Sequence, residues 1–184
     1  MKTFAEWFSG ERLALLKFAT ALCADPGTAQ EVVQEVAYRA CTRWPSIQGL
    51  AHPDAYLRRM VVNEYLSWRR KWGRLVPSSD LVEGRPDLER DAMGNVDDRH
   101  QLQAELRKLP PRQRAVIVLR FYDDLDDAEI AAALHCPRGT VRSLQSRALR
   151  RLRVEMADAD SPAGPRTSTA RLVAGFDQPK HQES

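Results

Sequence analysis

Residues that carry chemistry are scarce in this chain. Its 184 residues include only four histidines and three cysteines. None of the histidines stands at a base-plus-nucleophile spacing, and no Walker loop, GxGxxG, GxSxG or HExxH occurs. That excludes the common ways of handling phosphates, dinucleotides, acyl groups and catalytic zinc. Cys23, Cys41 and Cys136 form no CxxC pair, and only His135 lies beside one of them, so no zinc site is outlined. Scattered thiols of this kind suit a reducing cytoplasm. Asp123-Asp124 with Asp126-Asp127 carries enough charge for a divalent cation, but at the mouth of a short helix these residues read as turn and cap. The chain is expected not to be an enzyme, with no catalytic residue, no cofactor and no metal.

Long hydrophobic runs are missing too. No apolar stretch is long enough to cross a bilayer, and Met1 to Gly10 lacks the hydrophobic core of a secretory signal. A cytoplasmic protein without a membrane partner is expected. Charge of one sign is thin, at a net +3, but it is unevenly spread. Basic residues gather at Arg58-Arg59, Arg69-Arg70-Lys71 and Arg138 to Arg153, and acidic ones in the middle and at the aspartate pairs. The length admits one domain or two small helical ones.

What is present is most specific between Leu109 and Arg153. Pro111 suits the first position of a helix, where a missing N–H costs nothing. Asp126 and Glu129 have capping-box spacing and open a helix from Asp127 to Leu134, with Ile130, Ala131 and Leu134 at helical intervals. His135-Cys136-Pro137 is a turn, and Pro137 starts a longer basic helix running to Arg153. Helix, short helix, turn and basic helix is the layout of a helix-turn-helix, which sets its last helix into the DNA major groove. On that helix Val141, Ala148, Leu149 and Leu152 share the packing side. Arg138, Arg142, Ser143, Ser146 and Arg147 lie toward the other side and the helix start, the half that reaches base edges. Arg150, Arg151 and Arg153 are placed for phosphates, which position a protein without reading sequence.

The front half, Phe4 to Trp72, carries several helical periods. Thr28 and Glu31 have capping-box spacing, and Val32, Val33, Val36, Ala37 and Ala40 follow on one face until Pro45 ends the helix. Gln30, Glu31, Gln34 and Glu35 make the opposite face, a polar surface suited to a partner. Pro53 begins a further helix with Leu57, Val61, Glu64, Trp68 and Trp72 along one side, and Arg58, Arg59, Val62, Asn63, Arg69 and Arg70 along the other. Cations beside aromatics suit melted DNA, since cations follow the backbone and rings stack on unpaired bases. Trp44, Trp68 and Trp72 nevertheless read as core packing.

These motifs resemble a known family. Leu109-Pro110-Pro111-Arg112-Gln113-Arg114, Ala128-Glu129-Ile130-Ala131, and Cys136-Pro137 with Gly139-Thr140-Val141-Arg142-Ser143 look like region 4 of the extracytoplasmic-function (ECF) class of bacterial sigma factors, in the sigma-70 family. The resemblance implies binding of the −35 promoter element through Arg142, Ser143, Ser146 and Arg147, with Arg138 beside them. Three positions depart from the family pattern: His135 stands where many members have glycine in the turn, Gln145 where an apolar residue is usual, and Gln30 where many members have an acidic residue. Ala29-Gln30-Glu31-Val32-Val33-Gln34-Glu35 resembles the segment that docks on the clamp helices of RNA polymerase, which implies contacts at Glu31, Gln34 and Glu35. Pro53 to Asn63 resembles the stretch that reads the −10 element. Asn63 matches the position that helps capture a flipped base, and Arg58, Arg59, Arg69 and Arg70 would hold the melted strand. Val62 to Arg70 is similar to the SigE-type branch.

The resemblance implies an all-α fold of two small helical domains: residues 1–72 like sigma region 2, and residues 96–155 like sigma region 4. Residues 73–95, rich in Pro, Gly, Ser and charge, read as a flexible linker that lets two modules span two DNA elements. Residues 156–184 read as a disordered tail. The implied partners are core RNA polymerase, double-stranded promoter DNA and the melted −10 strand, at the nucleoid. An anti-sigma factor masking these surfaces is a common arrangement in the class. A modest net charge fits a protein that its polymerase carries to DNA, since weak free binding limits non-specific capture. The rival reading is a stand-alone helix-turn-helix regulator with a helical sensing or dimerising domain, which would bind a symmetric operator as a dimer.

Overall fold

The structure is a computed structural model that describes residues 3–72 and 96–159, with side chains described over 3–71 and 102–152. The proposed linker at 73–95 and the tail from 160 onward lie outside the described residues. The fold is all-α, and the chain divides into two compact units, Met1–Gly94 and Asn95–Ser184.

The first unit begins with α1, Phe4–Cys23. Thr3 opens it with a full capping box: Thr3 Oγ1 accepts from the Glu6 N–H, and Glu6 Oε2 accepts from the Thr3 N–H at 2.8 Å. Helix α2, Pro26–Thr42, starts earlier than the Thr28–Glu31 spacing predicts. Asp25 is its cap, with Oδ2 accepting from the Thr28 N–H at 2.7 Å, and Pro26 follows in the first turn. A carboxylate acceptor followed by a proline with no N–H to lose is the stronger start signal. Val32, Val33, Val36 and Ala40 are buried as expected. Pro45 cannot continue α2 without its ring meeting the Cys41 carbonyl. The chain stops at Thr42 and restarts as the short α3, Trp44–Ile47, whose Trp44 and Ile47 are both buried.

Helix α4, Pro53–Trp72, corrects one expectation. Val62, read from the sequence as part of the basic side, is fully buried together with Leu57, Val61 and Tyr65. The reason is geometric. Helix α4 packs against both α1 and α2, so its apolar stripe must be wide enough for two neighbours. Trp68 is half-buried, and the Trp72 side chain lies outside the described residues.

The second unit holds α5, Val96–Lys108, α6, Pro111–Phe121, α7, Asp127–Ala133, and α8, Arg138–Ala159. Pro111 opens α6 as predicted, and Ala115 through Leu119 are all fully buried. Five consecutive buried apolar residues cover every side of a helix turn, so the middle of α6 is core on all faces, and α8 packs against both α6 and α7. Helix α8 runs to Ala159, past the boundary at 155 read from the sequence, and Pro137 precedes it rather than lying inside. The Pro137 carbonyl accepts from the Thr140 and Val141 N–H groups at 2.9 and 3.3 Å.

His135 sits in the left-handed region at φ 49° and is exposed. A side chain there crowds its own carbonyl, whereas glycine is free of that strain. His135→Gly is therefore expected to stabilise the second unit by about 1 kcal/mol. A higher thermal midpoint of the full chain checks it.

Candidate nucleic-acid interface

The helix-turn-helix is assembled by local hydrogen bonds. Asp126 Oδ1 accepts from the N–H groups of Ala128 and Glu129 at 2.7 and 2.8 Å, and Glu129 Oε2 accepts from the Asp126 N–H at 2.8 Å. This is the predicted capping box, reciprocal and complete. At the other end of α7 the left-handed His135 turns the chain so that the Cys136 N–H reaches the Ala131 carbonyl at 3.0 Å. Val141, Ala148 and Leu152 are buried beneath α8, and Leu149 is half-buried. Arg138, Arg142, Ser143, Ser146 and Arg147 are all exposed on the half of α8 nearest the turn. Leu144 and Gln145 are both half-buried, so the middle turn of α8 seats both against the unit. Along it runs an open concavity of about 300 Å³ lined by Arg142, Gln145, Ser146, Leu149 and Arg150.

One member of this surface has a partner that the sequence pattern does not report. Arg142 Nε donates to Asp127 Oδ2 at 2.8 Å, and Arg120 binds the other oxygen of the same carboxylate. The Asp127 carboxyl is held below its usual range by the Arg142 hydrogen bond first. Burial opposes this, but the charges of Arg120 and Arg142 and the Arg120 hydrogen bond add to the lowering and together outweigh it. Lowering keeps the carboxylate ionised through the whole neutral range, so the tie does not open there with pH. Asp127 is thus more than the first residue of α7.

The predicted −10 residues fall into two groups on α4. Arg59, Asn63 and Arg70 are exposed and lie close to one line along the helix. Arg69 is half-buried. Arg58 is turned inward, 18% exposed, and pairs with Asp54 at 2.7 Å. Burial alone would raise the Asp54 carboxyl, but the charge and hydrogen bond of Arg58 outweigh it and lower the group. That pair adds stability above the unfolded carboxyl's pKa and loses it as pH falls through the folded one.

On α2, Gln30, Glu31, Gln34 and Glu35 are all exposed, as predicted. Glu35 binds Arg39 Nε at 2.7 Å, and Arg39 reaches across to Glu64 of α4 at 2.7 Å. Burial would lower the Arg39 guanidinium, but the bond to Glu35 and the charges of Glu64 and Glu35 raise it further above its ordinary value. Tyr38, one turn beyond Gln34, is 69% exposed and extends this polar face with an aromatic ring. The polar pattern of the face marked its charges and overlooked the ring.

Among the described residues, no group of three or more His, Cys, Asp or Glu could hold a metal ion, and no helix is long and apolar enough to cross a membrane. The cysteines are free thiols.

A basic helix on a helix-turn-helix in one unit, and a polar face and a basic line in the other, define a DNA-binding transcription protein with two kinds of surface. The Sigma-70 region 2 family matches residues 8–75, and the Sigma-70, region 4 family matches residues 106–154. The RNA polymerase sigma-E factor of Streptomyces coelicolor is 38% identical over 174 residues, covering 93% of this chain and 97% of that protein. The ECF RNA polymerase sigma-E factor of Escherichia coli K12 is 34% identical over 129 residues, 64% of this chain and 68% of that one. Among solved structures, the sigma factor RpoE in complex with the anti-sigma factor NepR, from Bartonella quintana, is similar with a TM-score of 0.66 at 28% identity. It covers 87% of this chain and 99% of that one. The chain belongs to the sigma-70 family, in its ECF class, and is an alternative sigma factor that directs promoter-specific transcription. Matches to both regions, in chain order, favour this over a stand-alone regulator.

Proposed function

We propose that the three surfaces divide the work of initiation. The exposed face of α2, with Glu31, Gln34 and Glu35, docks on core RNA polymerase. Asn63 captures a flipped base of the −10 element, while Arg59, Arg69 and Arg70, with Arg58 braced by Asp54, hold the melted strand. Arg138, Arg142, Ser143, Ser146 and Arg147 read the −35 element in the major groove. Residues 1–72 are then the polymerase and −10 module, 96–155 the −35 module, and 73–95 join them.

The observation that carries this reading is the split of α8. Its five proposed contact residues are exposed while Val141, Ala148 and Leu152 are buried, so one helix serves as both core and reading head. Holding an extruded base favours the open strand over the duplex, so melting proceeds by binding alone and this chain needs no catalytic step. Such a factor works in the cytoplasm, at the nucleoid. The B. quintana relative was solved with an anti-sigma factor, and a protein of that kind would silence this chain by covering the same faces.

Run-off transcription on fragmented genomic DNA tests the reading, with core RNA polymerase in the presence and absence of the chain. The expected result is a set of discrete new start sites, each preceded by the same pair of motifs. Tight binding of the chain alone to a palindromic site, without new transcripts, would overturn it. Within the reading, Arg147→Ala is expected to weaken −35 recognition by about five- to hundredfold and to leave polymerase binding intact. A pull-down with core polymerase beside a promoter-binding titration checks both halves, and a joint loss refutes the division of labour.

A further inference from the structure

We propose that Asp127 is a positioning residue that sets the base preference of the −35 contact by fixing the guanidinium of Arg142. The inference rests on the reading of α8 given above. An arginine fork has five N–H donors in a rigid plane. In Arg142 the Nε–H is already engaged by Asp127 at 2.8 Å, a bond that does not use the two terminal nitrogens. Arg142 remains 73% exposed, whereas Asp127 is 25% exposed and is itself gripped by Arg120 from α6. The holder is therefore anchored in the unit while the held group projects from it.

This geometry has two consequences. An exposed arginine without a partner samples many rotamers and binds a phosphate as readily as a base edge. Fixed through Nε, the side chain presents only its end-on pair, which fits the O6 and N7 acceptors of guanine. The carboxylate also stands between Arg142 and the phosphate backbone in charge terms, because it repels phosphates and cancels part of the arginine's pull on them. Asp127 thus lowers sequence-independent affinity and raises discrimination. The other acids of its turn, Asp126 and Glu129, are committed to the capping box. They are not the groups that hold Arg142.

The test uses the full chain assembled with core RNA polymerase and a promoter library randomised across the −35 element. Bound and unbound fractions are sequenced to give base preference position by position. Asp127→Asn, which has the same shape without the charge, is expected to reduce discrimination at a single −35 position by about three- to tenfold. The other positions should hold their preference, and affinity for promoterless DNA should rise. With Arg142→Ala already in place, adding Asp127→Asn should leave base preference unchanged. An even loss at all positions with a lower thermal midpoint would reduce Asp127 to a structural role and overturn the proposal. Unchanged discrimination in Asp127→Asn would overturn it as well. If Arg142→Ala alone leaves base preference untouched, the failure lies in the reading of α8 itself.

Discussion

Val62→Lys is expected to unfold the first unit, although it places a basic residue next to the proposed −10 surface. Val62 is fully buried where α4 packs on α1 and α2. Lysine there brings three problems: an ammonium without a buried partner, a longer chain in a filled space, and the loss of a methyl pair from the core. The combined cost is about 5 kcal/mol, which is comparable to the whole stability of a unit this small. Thermal unfolding followed by circular dichroism should show the low-temperature loss of this unit. Asn63→Ala, one residue along and exposed, is the contrast. It should leave the melting curve in place and reduce open-complex formation at the −10 element, which permanganate reactivity of unpaired thymines reads directly. A Val62→Lys chain that stays folded and binds promoters more tightly would mean that the sequence-based assignment of this residue to the basic side was right.

That contrast also explains which features could be read from sequence. The Asp126–Glu129 capping box spans three residues, and its geometry is set within one turn of helix, so spacing alone found it. The stripe of Val141, Ala148 and Leu152 needed only the helical period. Both sets of exposed candidates, on α2 and on α8, followed by subtraction from those stripes. Val62 did not, because periodicity gives the centre of a buried face, while its width depends on how many helices lie against it. The start of α2 was read from the Thr28–Glu31 spacing alone, whereas the carboxylate of Asp25 with the proline after it caps the helix. The tie between Asp127 and Arg142 joins residues fifteen apart across a turn, and no local pattern carries such a pairing. Arg58 was read by its charge alone, while its bond to Asp54 one turn earlier shows that part of its donor capacity is used at home.

Arg114→Ala is expected to abolish −35 binding for a different reason from Arg147→Ala. Both residues lie in basic stretches of the second unit, but Arg114 is only 5% exposed. Its Nη2 donates to the carbonyls of Arg107 and Leu109, both at 3.0 Å, and so caps the end of α5 from inside α6. The last carbonyls of a helix have no partner of their own. Charge-assisted bonds to them are worth more than neutral ones, and removing the donor leaves buried acceptors unmet beside a cavity. The expected loss is about 3 kcal/mol, a large part of the stability of a unit this small. The thermal midpoint of the second unit and −35 affinity should therefore fall together, while Arg147→Ala lowers affinity at an unchanged midpoint. Arg114→Lys keeps a cation within reach of one carbonyl but lacks the planar fork, so it should recover part of the midpoint and the same part of binding. If Arg114→Ala instead lowered binding with no change in the midpoint, Arg114 would have to be a DNA contact, and its buried bonds to α5 would carry no weight in the fold.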